Sequence, residues 1–234
     1  MHVSSVNGSL DEGPDDAVRR LLAAAGVVAL HAGNDIALRG TAGKLISLES
    51  GLSCLGVYTD AGVRRITAFH FPGEFCNLHR YISRDSEDDP RIAAVTNCLF
   101  RVIHAEELEE ELNKSSALRL HLFNAALREI GIGRQWLLNL TRPALTRVTH
   151  LLCELFDRQQ FSGAASSVIP ITQIDLADAT GLSAVHINRT IQQLRTLGVM
   201  TGNHQLQVAD RRRLGELCGF DGSYLRVVSP LSVA

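Results

Sequence analysis

Two hydrophobic periods divide this chain. Between Val27 and Ile103, apolar residues fall in short runs at 27–30, 45–48, 53–58, 65–71, 91–95 and 98–103, with glycines at 33, 40, 43, 51, 56, 62 and 73. Short apolar runs punctuated by turn residues predict the strands of an antiparallel sandwich or jelly roll. Asp60-Ala61-Gly62 fits a hairpin turn between two of them. Residues 1–20 are polar and acidic, with Gly13-Pro14, and the first ten are expected to be loose. From Glu106 the period becomes helical. Leu120, Phe123, Leu127, Ile130, Arg134 and Leu137 are spaced 3, 4, 3, 4 and 3 residues apart. That is the seam of a coiled coil, so these six are the expected dimer contacts. The same stripe would also suit a helix lying on its own barrel, and Leu122, Ala126 and Trp136 form a second stripe for that purpose. Gly131 and Gly133 each cost about 1 kcal/mol relative to alanine and point to close helix approach or a bend. Pro143 marks a hinge and the start of a helix over 144–157, because proline suits a first helical turn. The segment 161–167, FSGAASS, reads as a flexible surface connection.

Residues 171–200, ITQIDLADATGLSAVHINRTIQQLRTLGVM, predict two short helices and a tight turn. Thr172 can cap the first helix, with Asp175 completing a capping-box-like pair. Leu176, Ala177 and Ala179 form its apolar face, and Gly181 sits where the turn needs positive φ. Ser183 can cap the second helix, whose Ile187, Ile191 and Leu194 face inward. Ala184, Val185, Asn188 and Arg189 then point out. This is the layout of a helix-turn-helix, whose second helix enters the DNA major groove. Arg189 can grip guanine bidentately, Ala184 or Val185 can touch a thymine methyl, and Asn188 can pair with adenine or hold a phosphate. Thr172 and Gln173 lie at a helix N-terminus, a natural phosphate site, and His186 can reach a phosphate as well. The expected DNA contacts are therefore Thr172, Gln173, Ser183, Ala184, Val185, His186, Asn188 and Arg189. Beyond them, Gly198-Val199-Met200-Thr201, a Gly202-Asn203-His204 turn and an alternating 205–208 read as a two-stranded wing.

The run LTQxDLADxxGLSxVHxNRTxxxLRxxG is a familiar variant of the DNA-binding domain of the Crp/Fnr family of bacterial transcription regulators. This chain resembles it at ITQIDLADATGLSAVHINRTIQQLRTLG, and the likeness extends to RQWLLNLTRPALTRVTHLLCELFDR upstream and GFDGSYL downstream. It implies an α+β protein: an N-terminal antiparallel jelly-roll sensory barrel like a cyclic-nucleotide-binding domain over 1–105, a dimerisation helix and hinge over 106–141, and a C-terminal winged helix-turn-helix over 142–234. It also implies a homodimer reading an inverted repeat in double-stranded DNA, with half-sites about 34 Å apart. RNA polymerase and an unidentified small-molecule effector are the further partners it implies. Much of the family has glutamate where Val185 stands, so a different base preference is expected. Cyclic-nucleotide-binding relatives use a Phe-Gly-Glu turn and an Arg-Ser-Ala segment. The corresponding stretch here is FPGEFCNLHRYISRDSEDDPRIAAV. Glu74 and Arg91 are the effector-binding candidates carried over. Ile92 follows Arg91, however, and Asp85, Glu87, Asp88 and Asp89 would repel an anion. The ligand is therefore expected to be something other than a cyclic nucleotide, or absent. The alternative reading is a ligand-binding barrel kept as an interaction module after loss of DNA binding, against which Asn188 and Arg189 speak.

Composition adds limits. A chain of 234 residues, 45% apolar, accommodates one large or two ordinary domains with real cores. The net charge of −2 conceals a division: 10 basic and 16 acidic residues over 1–110 give −6, whereas 12 basic and 8 acidic over 111–217 give +4. The positive part is the one assigned to DNA, as phosphate attraction requires. No run reaches transmembrane length and no secretory signal pattern opens the sequence, so a cytoplasmic protein without a membrane partner is expected. Cys54, Cys76, Cys98, Cys153 and Cys218 are widely spaced and read as free, mostly buried thiols. No iron–sulfur cluster, haem or metal site is predicted. The histidines at 2, 31, 70, 79, 104, 121, 150, 186 and 204 contain no HxxxH pair, although His70 and His79 flank the Pro72-Gly73-Glu74 turn and could meet at a pocket mouth. GxSxG, GxxxxGK[ST], HExxH and GxGxxG are all missing, so no enzyme is predicted.

Overall fold

A computed structural model of the chain describes residues 14–41, 43–59, 62–79, 90–202 and 205–226. The first thirteen residues lie outside them. So do Asp60 and Ala61 of the hairpin turn, the acidic Asp85, Glu87, Asp88 and Asp89, and Asn203 and His204 of the wing turn.

The fold is α+β. Strands β1 (Gly26–Leu30), β3 (Lys44–Ser50) and β7 (Cys98–His104) form one antiparallel sheet in the order β1-β7-β3. Strands β2 (Asp35–Ala37), β4 (Ser53–Tyr58), β5 (Arg64–His70) and β6 (Arg91–Ala94) form the other, in the order β2-β6-β4-β5. The period of two explains the packing. In β3, Ile46 and Leu48 turn into the sandwich with Leu55, Ile92 and Phe100, while Leu45 turns the other way, onto a helical layer. Burial of each such side chain contributes about 1.5–3 kcal/mol. The β3–β4 turn needs Gly51, because its φ is 92° and an added Cβ would lie 2.3 Å from the Asn97 carbonyl oxygen. The short β2 has no apolar run of its own and escapes the sequence pattern.

The helical layer contains α1 (Pro14–Ala24), α2 (Ala105–Lys114) and α3 (Ser116–Leu140). Ala17, Leu21, Leu108 and Leu118 pack with Leu45 and Ile103. The continuous helix expected from Glu106 is in fact two. Ser115 is extended and its hydroxyl accepts the Leu118 N–H, so it caps α3 and ends α2. Helix α1, in a stretch read only as polar, was also missed; its buried Ala17 and Leu21 are spaced four apart.

Helix α3 runs unbroken through Gly131 and Gly133. The chain approaches closely at the first, where the Tyr224 carbonyl lies 3.5 Å from the Cβ position. Its second stripe faces the protein: Leu122 and Ala126 pack on the helical layer, and Trp136 meets Phe69 of β5. The first stripe is exposed, including Phe123 at 59% and Leu137 at 69%.

After Pro143, α4 (Ala144–Phe161) runs four residues beyond the expected end. Segment 161–167 is tied down by Gln159 and Gln160, whose side-chain amides donate to the Ser166 carbonyl. Then come β8 (Val168–Ile169), α5 (Gln173–Thr180), α6 (Ala184–Thr196), β9 (Met200–Thr201), β10 (Leu206–Val208), α7 (Arg211–Cys218) and a 3-10 turn at Ser223–Leu225. The wing gains a third strand, in the order β8-β10-β9. One apolar cluster joins barrel residues Leu52, Ile66, Phe69 and Phe71 to Leu152, Leu176, Ile187 and Leu194. All five cysteines are free, and all except the half-buried Cys218 are buried.

Candidate nucleic-acid interface and sensory cavity

The geometry of α5 and α6 follows from their end residues. Thr172 accepts the Asp175 N–H at 3.1 Å, and Asp175 accepts the Thr172 N–H at 2.9 Å, closing a capping box. Gly181 ends α5 with φ 69°, its N–H donating to the Ala177 carbonyl. Ser183 caps α6 by accepting the His186 N–H at 3.3 Å. Ile187, Ile191 and Leu194 are wholly buried, which fixes the rotation of α6 and forces its other face outward.

That outer face carries Ala184, Val185, His186, Asn188 and Arg189, all exposed, with Val185 at 71%. Ser183 and Thr172 are exposed beside them and Gln173 is half-buried. The Asn188 amide donates to Gln173 Oε1 at 3.4 Å, linking the two helices across the face. His186 Nδ1 lies 2.9 Å from Ser183 Oγ. The expected DNA contacts thus lie on one continuous surface.

The second site is a cavity of about 430 Å³ between β5, the Pro72-Gly73-Glu74 turn and α3. Glu74, His70 and His79 line it, together with His121, Arg128, Glu129 and Arg158. The two histidines flanking the turn do share this cavity, each held by a neighbour: His70 Nδ1 is 3.2 Å from Ser53 Oγ, and His79 pairs with Glu129 at 3.3 Å. Burial pushes the His70 imidazole down to about 4, so it is neutral at pH 7.

Arg91 does not belong to this site. It lies outside the cavity lining and pairs with Asp35 at 2.6 Å, across the β2–β6 edge. The two effector-binding candidates are therefore not brought together: Arg91 has its counter-charge from an adjacent strand, apart from the cavity that Glu74 lines. Glu74 does line the cavity, but its carboxylate is held from behind. Arg158, reaching across from α4, donates to Glu74 Oε2 at 2.6 Å and to the Phe69 carbonyl at 2.5 Å. Burial opposes the Glu74 charge, yet Arg158 and the Phe71 N–H outweigh it and hold the carboxyl below its usual range.

Arg158 also donates to Glu154 at 3.1 Å, and Glu154 accepts the Trp136 indole N–H at 3.1 Å and the Tyr224 hydroxyl at 2.9 Å. Burial dominates at Glu154 and pushes its carboxyl up despite these donors. The sequence reading missed Arg158 and Glu154. Their signal was present: an i, i+4 Glu–Arg pair in the apolar helix LLCELFDRQQF, on the face that must be buried.

Comparisons place this geometry among known proteins. Residues 146–217 match the Crp-like helix-turn-helix domain. The transcriptional activator protein FnrL of Cereibacter sphaeroides is 24% identical over 186 residues, 75% of this chain and 73% of that protein. A probable transcriptional activator of Rhizobium leguminosarum bv. viciae is 25% identical over 175 residues, 73% and 71% of the two chains. Among solved structures, FixK2 from Bradyrhizobium japonicum superposes with TM-score 0.68 at 22% identity, covering 82% of this chain and 96% of that one. TTHB099, a CRP-family transcriptional regulator from Thermus thermophilus, gives 0.66 at 17% identity, covering 82% and 96%. The two structural likenesses establish the fold.

Proposed function

We propose that this chain, with its Crp-like helix-turn-helix domain over 146–217, is a transcription regulator of the Crp/Fnr family that acts as a homodimer binding an inverted repeat in double-stranded DNA. The observation that carries the reading is the outward face of α6. Three wholly buried residues lock that helix in rotation, and Val185, Asn188 and Arg189 project from it beside the capped start of α5. Arg189 supplies the bidentate donor for guanine, Asn188 the amide for adenine or phosphate, and Val185 an apolar contact for a thymine methyl. Thr172, Gln173, Ser183, Ala184 and His186 complete the surface. Val185 in place of the common glutamate removes an acceptor for cytosine, so the operator should differ there.

The dimer is supported by the apolar stripe on α3. Leu120, Phe123, Leu127, Ile130 and Leu137 are exposed along one line, with Arg134 among them. A contiguous apolar face of this kind marks an interaction surface. On the same reading the cavity beside Glu74 is the effector site, and RNA polymerase is the downstream partner of the DNA-bound dimer. A cyclic nucleotide is a poor fit to that cavity, because Glu74 is already held by Arg158 and Arg91 is occupied elsewhere. A regulator of this kind works in the cytoplasm, and no helix among the described residues is long and apolar enough to cross a membrane.

Selection of bound duplexes from a random pool tests the proposal. The expected product is a two-fold symmetric consensus. Arg189→Ala should cost about 1–3 kcal/mol in binding and relax preference at one base per half-site. A pool that yields no enriched sequence, or a variant with undiminished preference, overturns the reading.

A further inference from the structure

The winged half meets the barrel half at several places. One is the covalent link, where Asn139 donates to the Arg147 carbonyl at 2.9 Å and Arg147 donates to the carbonyls of Leu140, Arg142 and Thr180 at 2.5, 3.0 and 3.0 Å. The second is Arg158 on Glu74. The third grips the helix-turn-helix itself. Arg64, at the start of β5, donates from Nε to Asp178 Oδ2 at 2.7 Å and from Nη2 to Asp175 Oδ1 at 2.6 Å.

Asp175 divides its oxygens between two duties: Oδ2 closes the capping box on Thr172, and Oδ1 takes the barrel arginine. The clasp is therefore anchored to the cap that begins α5. From α5 the link to the reading surface is short, through Gln173 to Asn188. The three clasp side chains are 27%, 9% and 16% exposed, so water competes weakly for them. Beneath them Ile66 and Cys54 share a core with Leu176 and Ala177. The docked position leaves Val185, Asn188 and Arg189 open, so the clasp does not hide the reading surface; it orients it.

A covalent link alone would leave the winged half free to swing. We propose that Arg64 is a positioning residue that sets operator spacing: by holding Asp175 and Asp178 it fixes each recognition helix to its own barrel, and hence fixes the separation and angle of the two helices in the dimer. This inference rests on the dimeric DNA-binding reading above. Inserting one base pair between half-sites moves one by about 3.4 Å and turns it by about 35°. A dimer with fixed heads tolerates that poorly, and a dimer with loosened heads follows it.

The test uses the selected consensus with its half-sites brought one or two base pairs closer or farther apart, and measures binding of the full-length protein. For wild type the expected loss is about tenfold or more for each base pair off the optimum. For Arg64→Gln it should shrink to about threefold or less. Asp178→Asn keeps the capping box and the Asp175 contact, and should fall between the two. A role in stability alone would weaken every duplex by the same factor and leave the spacing profile unchanged. Superimposable profiles for wild type and both variants overturn the inference while leaving the DNA-binding reading intact. If Arg64→Gln does not fold, the Asp178→Asn profile decides. Wild-type protein that binds no duplex at any spacing overturns the parent reading, and this one with it.

Discussion

The winged half and the barrel half differ in the distance along the chain over which their key residues depend on one another. At the proposed DNA-reading surface the decisive contacts are local. Thr172 and Asp175 are three residues apart, as are Ser183 and His186. At the cavity they are remote: Glu74 meets Arg158 across 84 residues, and Glu154 meets Tyr224 across 70. Local contacts restrain direction and are worth tenths to a few kcal/mol each. Remote buried charges are coupled, so removing one partner strands the other. The difference teaches that the reading surface should tolerate single substitutions in its fold and lose only binding, whereas the cavity wall should fail as a unit.

The largest expected effect breaks the remote network. Arg158→Met leaves the Glu74 and Glu154 carboxylates without their cation and should destabilise the fold by about 3–5 kcal/mol, read as a lower urea midpoint. Adding Glu74→Gln and Glu154→Gln should recover much of that loss. A single variant within about 0.5 kcal/mol of wild type would show that the pair is not coupled.

The next effect comes from pH. His70 is neutral and buried in the folded state, with its imidazole pushed down to about 4, and takes a proton near pH 6.5 when unfolded. Between those values the unfolded chain binds the extra proton, so stability falls as pH drops from about 6.5 to about 4. The contribution is on the order of a few kcal/mol at most. His70→Gln should flatten the slope of urea midpoint against pH across that interval, and an unchanged slope would remove His70 from the account. Glu154, with its carboxyl pushed up by burial, contributes in the opposite direction and remains in both proteins.

The smallest effect sharpens the local side. Thr172→Ala removes one cap and should cost about 1 kcal/mol in thermal stability with no change in pH dependence. A loss several times larger would mean that the Asp175 clasp to Arg64 collapses with it, and that the reading surface is less local than its spacing implies.

The same contrast explains what the sequence made legible. The helix-turn-helix could be read residue by residue, because a cap, a positive-φ glycine and a buried stripe announce themselves within a few positions. The strands were legible as apolar runs between glycines. Helix α1 and strand β2 were not, since their burial depends on neighbours that the local pattern does not name. The single helix expected from Glu106 hid a break at Ser115, a serine whose hydroxyl caps the next helix. At the cavity, Glu74 was found from its turn, but the arginine that pairs with it was missed. Arg91 follows the turn in the order the resemblance suggested, but the fold spends it on Asp35 and recruits Arg158 from the far side of Pro143. Arg64 carried no local signal, since its partners lie 111 and 114 residues downstream.

Pairing across such distances also has a consequence on the ribosome. At about 5–20 residues per second, the 84 residues between Glu74 and Arg158 take about 4–17 s to emerge. For that interval the nascent barrel holds a carboxylate whose counter-ion has not yet been made. Burial of that carboxylate must therefore wait for α4, and a barrel released by a cut at Pro143 would retain the same unmatched charge.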